Sequence, residues 1–321
     1  MSKIALLQQI ANHPAFSVGL PPRWGWYVIL YFFLGGIAAG SYFVATMLQM
    51  LGDERDDEVV RLGYRIAFPL VVACGILLVL DLGKPFRFWH MIFQSERFPV
   101  LMMKPWSAIS VGTWVILIFS FFSFVSWVGT LVASGRLTNA RLVALDRWAR
   151  TRPSPIAVAW GIAGAFFGFF LAGYTGVLVS GASLAAWHGA RLLGALFLVS
   201  AASTSYALLM LLLMRRGPGR LSSTVEKLGR ADRWAIVIEI IVIAVTLAML
   251  GDAGRPFVSG GFGVLFWIGV VIVGLVAPLV LHWRAPNRAA LAATCVLVGG
   301  FLLRVIIVMA PQWPHISAWR L

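Results

Sequence analysis

The stretch IAVAWGIAGAFFGFFLAGYTGVLVS, from Ile156 to Ser180, runs for 25 residues without one charged side chain. A helix crosses the hydrocarbon core of a bilayer in about 20 residues, so this stretch is long enough to span. Near its end stands Tyr174, with Gly173 before it and Thr175-Gly176 after it. A phenol between glycines, where a membrane helix reaches the interface, can donate a hydrogen bond to a ligand lying in the lipid boundary.

Seven more runs of the same kind surround it, close to Gly25–Leu51, Val60–Leu80, Ser107–Ala133, Gly189–Met214, Trp234–Leu250, Gly261–Trp283 and Ala289–Ala310. The expected fold is all-α, an integral membrane protein of eight helices. Whole-chain composition agrees. Of 321 residues 60% are hydrophobic and 12% charged, and the mean hydropathy is +0.88; a soluble domain carries roughly 25% charged residues. Tryptophans such as Trp24, Trp106, Trp187, Trp283 and Trp313 sit near the run ends, as an aromatic belt requires. The first 20 residues lack the long apolar core and small-residue cleavage site of a signal peptide.

The net charge of +14 follows from 26 Lys and Arg against 12 Asp and Glu. In a chain this apolar, the excess reads as an orientation signal and not as a nucleic-acid surface. Loops that follow the odd-numbered runs hold fifteen of these bases, and the other side, with both termini, holds nine. The richer side is expected to be cytoplasmic, which puts residues 1–23 and the tail 311–321 outside, in the periplasm of a bacterial inner membrane. With that orientation Trp24, Tyr27, Tyr31, Asp81, Tyr174 and Asp252 all fall toward the outer ends of their helices.

An internal echo is visible. Asp81-Leu-Gly-Lys-Pro-Phe86 returns as Asp252-Ala-Gly-Arg-Pro-Phe257, four helices later. This divides the chain into a first four-helix bundle, 24–180, and a second, 181–310, as repeats do in many membrane folds. Glycine, proline and the base explain a helix stop. The aspartate is unfavourable at a helix C-terminus, so Asp81 and Asp252 are candidates for proton exchange or for pairing with a neighbouring arginine. Arg65, Glu239 and Arg304 lie in or near the runs and are candidates for buried pairs or a proton path. Pairing Glu239 with Arg65, and Arg304 with an outer aspartate, is the expected arrangement.

Two cysteines, Cys74 and Cys295, are too few to ligate an iron–sulfur cluster, which needs about four. The five histidines, His13, His90, His188, His282 and His315, place no pair within the spans at one depth, so no haem is expected. Leu34-Gly-Gly-Ile-Ala-Ala-Gly-Ser41 is a small-residue face suited to close helix packing.

Five stretches in this order resemble the NrfD/PsrC family, the quinone-handling membrane subunits of complex iron–sulfur molybdoenzymes. They are Trp24–Ser41, Asp81–His90, Gly173–Ser180, Gly260–Trp267 and Leu303–Gln312. The resemblance implies two four-helix bundles and a quinone site near the outer face, taking menaquinone or ubiquinone. It also implies a ferredoxin-like iron–sulfur subunit docked there and a molybdopterin catalytic subunit beyond it. The family's quinone tyrosine corresponds to Tyr174. Trp24, Tyr27, Tyr31, Asp81 and His90 are then expected around the ring, with Arg87 and His90 also able to meet the partner. Val28 and Tyr31 stand where some members carry Asn and His. The rival expectation, from the internal repeat and the intramembrane charges, is a secondary transporter or channel, which broken helices at mid-span would favour.

Overall fold

The computed structural model describes residues 24–94, 97–137, 155–182, 184–215, 222–284 and 288–313. The N-terminal segment 1–23, residues 138–154 of the third loop and the tail from 314 onward, with His13 and His315, lie outside the described residues. Eight helices are long and apolar enough to cross a membrane. They are α1 Trp26–Leu51, α2 Asp57–Asp81, α3 Ala108–Ala133, α4 Pro155–Ser180, α5 Leu193–Met214, α6 Ser222–Leu250, α7 Gly260–Arg284 and α8 Ala289–Met309. Among the described residues there is no strand, only an isolated bridge between Phe93 and Leu101 in the α2–α3 connection.

The helices alternate in direction. One end of the molecule collects Trp24, Asp81, Ser180, Leu250 and Met309; the other collects Leu51, Asp56, Met214, Lys227 and Arg284. These are called below the Tyr174 end and the Lys227 end. Helices α1 to α4 close a ring of neighbours, α1 against α2 and α4, and α3 against α2 and α4. Helix α5 packs on α6 and α8, and α7 packs on α8. The two groups meet through α1 and α5, with α4 also against α5 and α8 against α1.

Small residues make that central seam. A methyl group added at Gly40 would fall 2.7 Å from the Ala201 carbonyl of α5, and one at Gly176 would overlap the backbone of Leu193 and Gly194. Lipid tails are as apolar as leucine, so helices in a membrane gain by close van der Waals contact, which the glycines permit. The stretch Leu34–Ser41 thus packs as its composition predicts.

Helix α6 begins at Ser222, not at Trp234 where its apolar run begins. Its first turns carry Thr224, Lys227, Arg230, Asp232 and Arg233, which hide the helix from a hydropathy reading. They are fastened instead by bonds to the α1–α2 turn. Thr224 donates to Asp56 Oδ1 at 2.8 Å, and Lys227 Nζ lies 2.8 Å from Asp53 Oδ2 and 3.0 Å from Asp56 Oδ2. The Asp56 side chain is fully buried, so these donors replace the water it has lost. Helix α7 winds as a π-helix over Leu265–Val276 without a break.

The two echoed segments end their helices differently. In the first, Gly83 after the aspartate turns the chain at φ +56°; in the second, Gly251 before the aspartate does so, at φ +50°. Both then place their proline in the first turn of a short helix, Pro85–Met91 and Arg255–Val258.

Candidate functional site

Tyr174 lies six residues before the end of α4, about 9 Å below it at 1.5 Å per residue. Its ring is buried, and its hydroxyl donates to the carbonyl of Ala108, the first residue of α3. The phenol is wedged against Gly112, one turn further along α3. A Cβ there would overlap the Tyr174 hydroxyl, with Cζ and Cε1 at 2.5 Å. Glycine at 112 is therefore what lets a tyrosine ring occupy the α3–α4 seam. Phe170, one turn before Tyr174, stacks with it at 6.4 Å between centroids and 13° between planes, and is itself 43% exposed toward the lipid side.

Tyr31 on α1 is buried and lies within electrostatic reach of the Tyr174 hydroxyl. Its ring lies against the Gly35 position, where a Cβ would also meet Cys74 Sγ at 3.5 Å. The Cys74 thiol in turn lies 3.7 Å from the Tyr31 carbonyl. Two buried phenols, Tyr31 on α1 and Tyr174 on α4, thus stand near one end of the molecule.

The other expected residues are placed as follows. Trp24 works as part of a clamp. Its backbone N–H donates to Gln312 Oε1 at 3.0 Å, and Gln312 Nε2 donates back to the Trp24 carbonyl at 3.2 Å and to the Val308 carbonyl at 2.6 Å. The Trp24 ring packs on Trp187 at 5.0 Å, and the fully buried Trp187 donates its indole N–H to the Ile307 carbonyl at 2.7 Å. This clamp ties the start of α1 to the end of α8. Tyr27 is half-exposed at the same level. Asp81, the last residue of α2, is exposed and without an ion pair among the described residues. Its echo Asp252 pairs with Arg255 at 2.9 Å, both side chains largely in the open. A pair so exposed contributes at most about 1 kcal/mol. His90 stacks on Trp89 at 3.8 Å in the turn Pro85–Met91, beside the exposed Arg87.

The membrane-depth charges pair otherwise than their run positions suggest. Because α6 starts early, Glu239 stands about 25 Å from the start of the helix and about 16 Å from its Leu250 end. It lies beside Ser200 and within electrostatic reach of Arg304. Arg304 reaches no outer aspartate; it donates to Ser200 Oγ at 2.5 Å and to the Gly300 carbonyl at 2.8 Å. Arg65 is half-buried on α2 and points a guanidinium N–H at the Thr130 carbonyl of α3, 3.5 Å away. Sequence reasoning missed Asp232, which is buried against His282 of α7 at 3.2 Å. The signal available was the seven-residue spacing from Asp232 to Glu239, which puts both on one helical face.

The exposed part of the Tyr174 end is apolar and basic together. Phe86, Phe98, Met103 and Trp106 are more than half exposed in the α2–α3 connection, among Lys84, Arg87, Arg97 and Lys104. An exposed apolar patch rimmed by polar groups marks a membrane or protein contact.

A family model described as "Polysulphide reductase, NrfD" matches residues 19–314. A polysulfide reductase chain of Wolinella succinogenes is 28% identical over 313 residues, covering 90% of this chain and 94% of the relative. Protein NrfD of Escherichia coli is 26% identical over 314 residues, covering 90% of this chain and 95% of its own length. A shorter match, 26% identical over 108 residues, joins 32% of the chain to 25% of a selenate reductase subunit of Mesobacillus selenatarsenatis.

Proposed function

The chain belongs to the polysulphide reductase NrfD family, and on that premise we propose that it is the quinone-handling membrane anchor of a respiratory reductase complex. It exchanges electrons between the quinone pool and an iron–sulfur subunit docked on the Tyr174 end, which faces the periplasm. That subunit is wired in turn to a molybdopterin catalytic subunit. Relatives named as parts of polysulfide and selenate reductases support such an assembly. With two cysteines in all, this chain supplies too few thiolates for a cluster, so the electrons come from or go to the partner.

The observation that carries the reading is the pair of phenols, Tyr174 and Tyr31, set near one end beside a lipid-exposed aromatic ring. These residues fit a quinone head. Its carbonyl oxygens need O–H donors, and its ring needs an apolar wall such as Phe170 provides. The Tyr174 hydroxyl now rests on the Ala108 carbonyl, which the α3 ladder already uses. Turning it toward a ligand therefore costs no more than one net hydrogen bond, about 0.5–1.5 kcal/mol. A bound quinone would supply two-electron, two-proton chemistry. In this reading Tyr174 holds one head-group oxygen and orients the ring. Asp81, at the exposed end of α2, exchanges protons with the outer aqueous phase, and His90 and Arg87 face the partner.

The spanning helices among the described residues run without a break at mid-span, which gives the transporter reading no support. The direct test is gentle purification from native membranes with identification of co-purifying subunits and extraction of bound quinone. An iron–sulfur partner together with menaquinone or ubiquinone is the expected result. A chain that comes out alone and quinone-free sinks the reading.

The Gly112 contact gives a second, local test. Gly112→Ala is expected to push the phenol off α3 and lower quinone-linked turnover by roughly tenfold to a hundredfold, the usual cost of misplacing a reacting group by about 1 Å. Gly75→Ala on α2, where a Cβ meets nothing within 4 Å, is the control and leaves turnover unchanged.

A further inference from the structure

Helices α5 to α8 hold a set of buried polar groups that the tyrosine site does not use. Asp232 and Glu239 lie on one face of α6, about 10 Å apart along its axis. Each meets a serine of α5. Ser203 donates to Asp232 Oδ1 at 2.7 Å, and Ser200 stands beside Glu239. Ser200 and Ser203 are three residues apart, hence neighbours on the α5 surface. Toward the Lys227 end, His282 Nε2 of α7 lies 3.2 Å from Asp232 Oδ2, with 6% of its side chain exposed, two residues before the end of α7. At the other limit Arg304 of α8 donates to Ser200. Asp232, Glu239 and Arg304 are 0%, 3% and 1% exposed.

The remaining polar neighbours are few. Tyr206 of α5 faces Asp232, and Arg233 points a guanidinium N–H at the His282 carbonyl, 3.5 Å away. Among the described residues, Arg304 also meets the Gly36 position and the Phe33 ring of α1 and the Phe197 ring of α5. These apolar groups separate Arg304 from Tyr31, which lies on the α2-facing side of α1. A structural ion pair would account for Glu239 and Arg304. It leaves unexplained the second acid, one heptad along the same face and joined to a histidine at the Lys227 end. Ionisable groups at bilayer depth are costly and mark proton routes when they line up.

We propose that this ladder is a one-sided proton path, through which Glu239 exchanges a proton with the aqueous phase at the Lys227 end. A protonated His282 gives its Nε2 proton to Asp232 Oδ2 and is reprotonated from solvent. The carboxyl group so formed turns to present that proton to Ser203; Ser203 and then Ser200 each accept a proton and release their own onward, and the last one ends on the Glu239 carboxylate. The proposal needs one water between the two serines, which lie one turn apart on α5. No electrons move, and Arg304 holds the Glu239 carboxylate in place when the proton leaves. The path is independent of quinone chemistry at the Tyr174 end.

The test reads the infrared carbonyl band of protonated Glu239, identified as the band lost in Glu239→Gln, in the full chain within its native complex in sealed vesicles. The band is expected to follow a pH step applied at the Lys227 end and to ignore one applied at the Tyr174 end. Asp232→Asn is expected to slow the response roughly a hundredfold, the contribution of one positioned proton-transfer group. A band that follows the Tyr174-end pH overturns the proposal. So does the absence of any band that Glu239→Gln removes, or an unchanged rate in Asp232→Asn. Should Asp232→Asn fail to assemble, Ser203→Ala tests the same step, and an unchanged rate there overturns it equally. The sidedness measurement needs only Glu239→Gln for its assignment, and quinone turnover enters none of these readouts.

Discussion

Tyr174→Phe is expected to lower quinone-linked turnover about a hundredfold in a complex that still assembles, the low end of what a positioned proton-donating side chain contributes. The ring is what packs. It stacks on Phe170 and fills the space that Gly112 leaves, and phenylalanine keeps both contacts. What is removed is one O–H donor, now resting on the Ala108 carbonyl. That carbonyl keeps its helical partner in α3, so the loss in stability is about 0.5–1.5 kcal/mol. A hundredfold in rate corresponds to roughly 2.7 kcal/mol of transition-state stabilisation. The two effects therefore separate by size as well as by readout. Subunit content after purification reports the first; turnover with a saturating quinone analogue reports the second. Parental turnover in an assembled Tyr174→Phe complex removes Tyr174 from the site. Tyr31→Phe provides the comparison, because Tyr31 packs deeper and lies against Cys74.

The eight spans were legible because each buries its own backbone polar groups in one helix and so must be apolar for its whole length. Their ends were less legible for the same reason. Helix α6 continues for three turns beyond its apolar run, since Thr224 and Lys227 find Asp53 and Asp56 on another segment, and Asp232 finds Ser203 and His282. No hydropathy window sees partners contributed by other helices. Moving the helix start put Glu239 well inside α6, where Arg304 lies within its electrostatic reach. Tyr174 was visible as a phenol at a run end flanked by glycine. Its relation to Gly112 was not, because that contact joins residues 62 positions apart through the pairing of α3 with α4. Trp24 shows the limit of reading aromatic position alone. Its depth suits a ring wall, yet its hydrogen bonds and stacking tie it to Gln312 and Trp187 across the α1–α8 boundary.

Arg304→Leu is expected to have the largest effect on stability, because Arg304 is a fully buried cation within electrostatic reach of the buried Glu239. The guanidinium is fully enclosed, with Phe197 and Phe33 at 5.3 and 6.0 Å from its centre and the Gly36 position at its edge. Leucine fits such surroundings well in volume and polarity. The cost comes from Glu239, which loses the compensating charge of Arg304. Removing one partner of a buried pair typically costs about 3–5 kcal/mol, because the other charge stays uncompensated. Glu239 can limit that cost by taking up a proton, so the loss should be smaller at low pH and larger at high pH. If the damage lies in the stranded charge, Glu239→Gln added to Arg304→Leu should restore most of it, and the pH dependence should disappear. If it lies in lost packing or in the bonds to Ser200 and the Gly300 carbonyl, the double variant should be no better than the single one. Thermal half-life in detergent, followed by size-exclusion of the intact chain, measures all three variants on one scale. A coupling between the two substitutions of less than about 0.5 kcal/mol would mean that the residues act independently. In that case Arg304 does not compensate the Glu239 carboxylate, and its place beside Ser200 is a matter of packing.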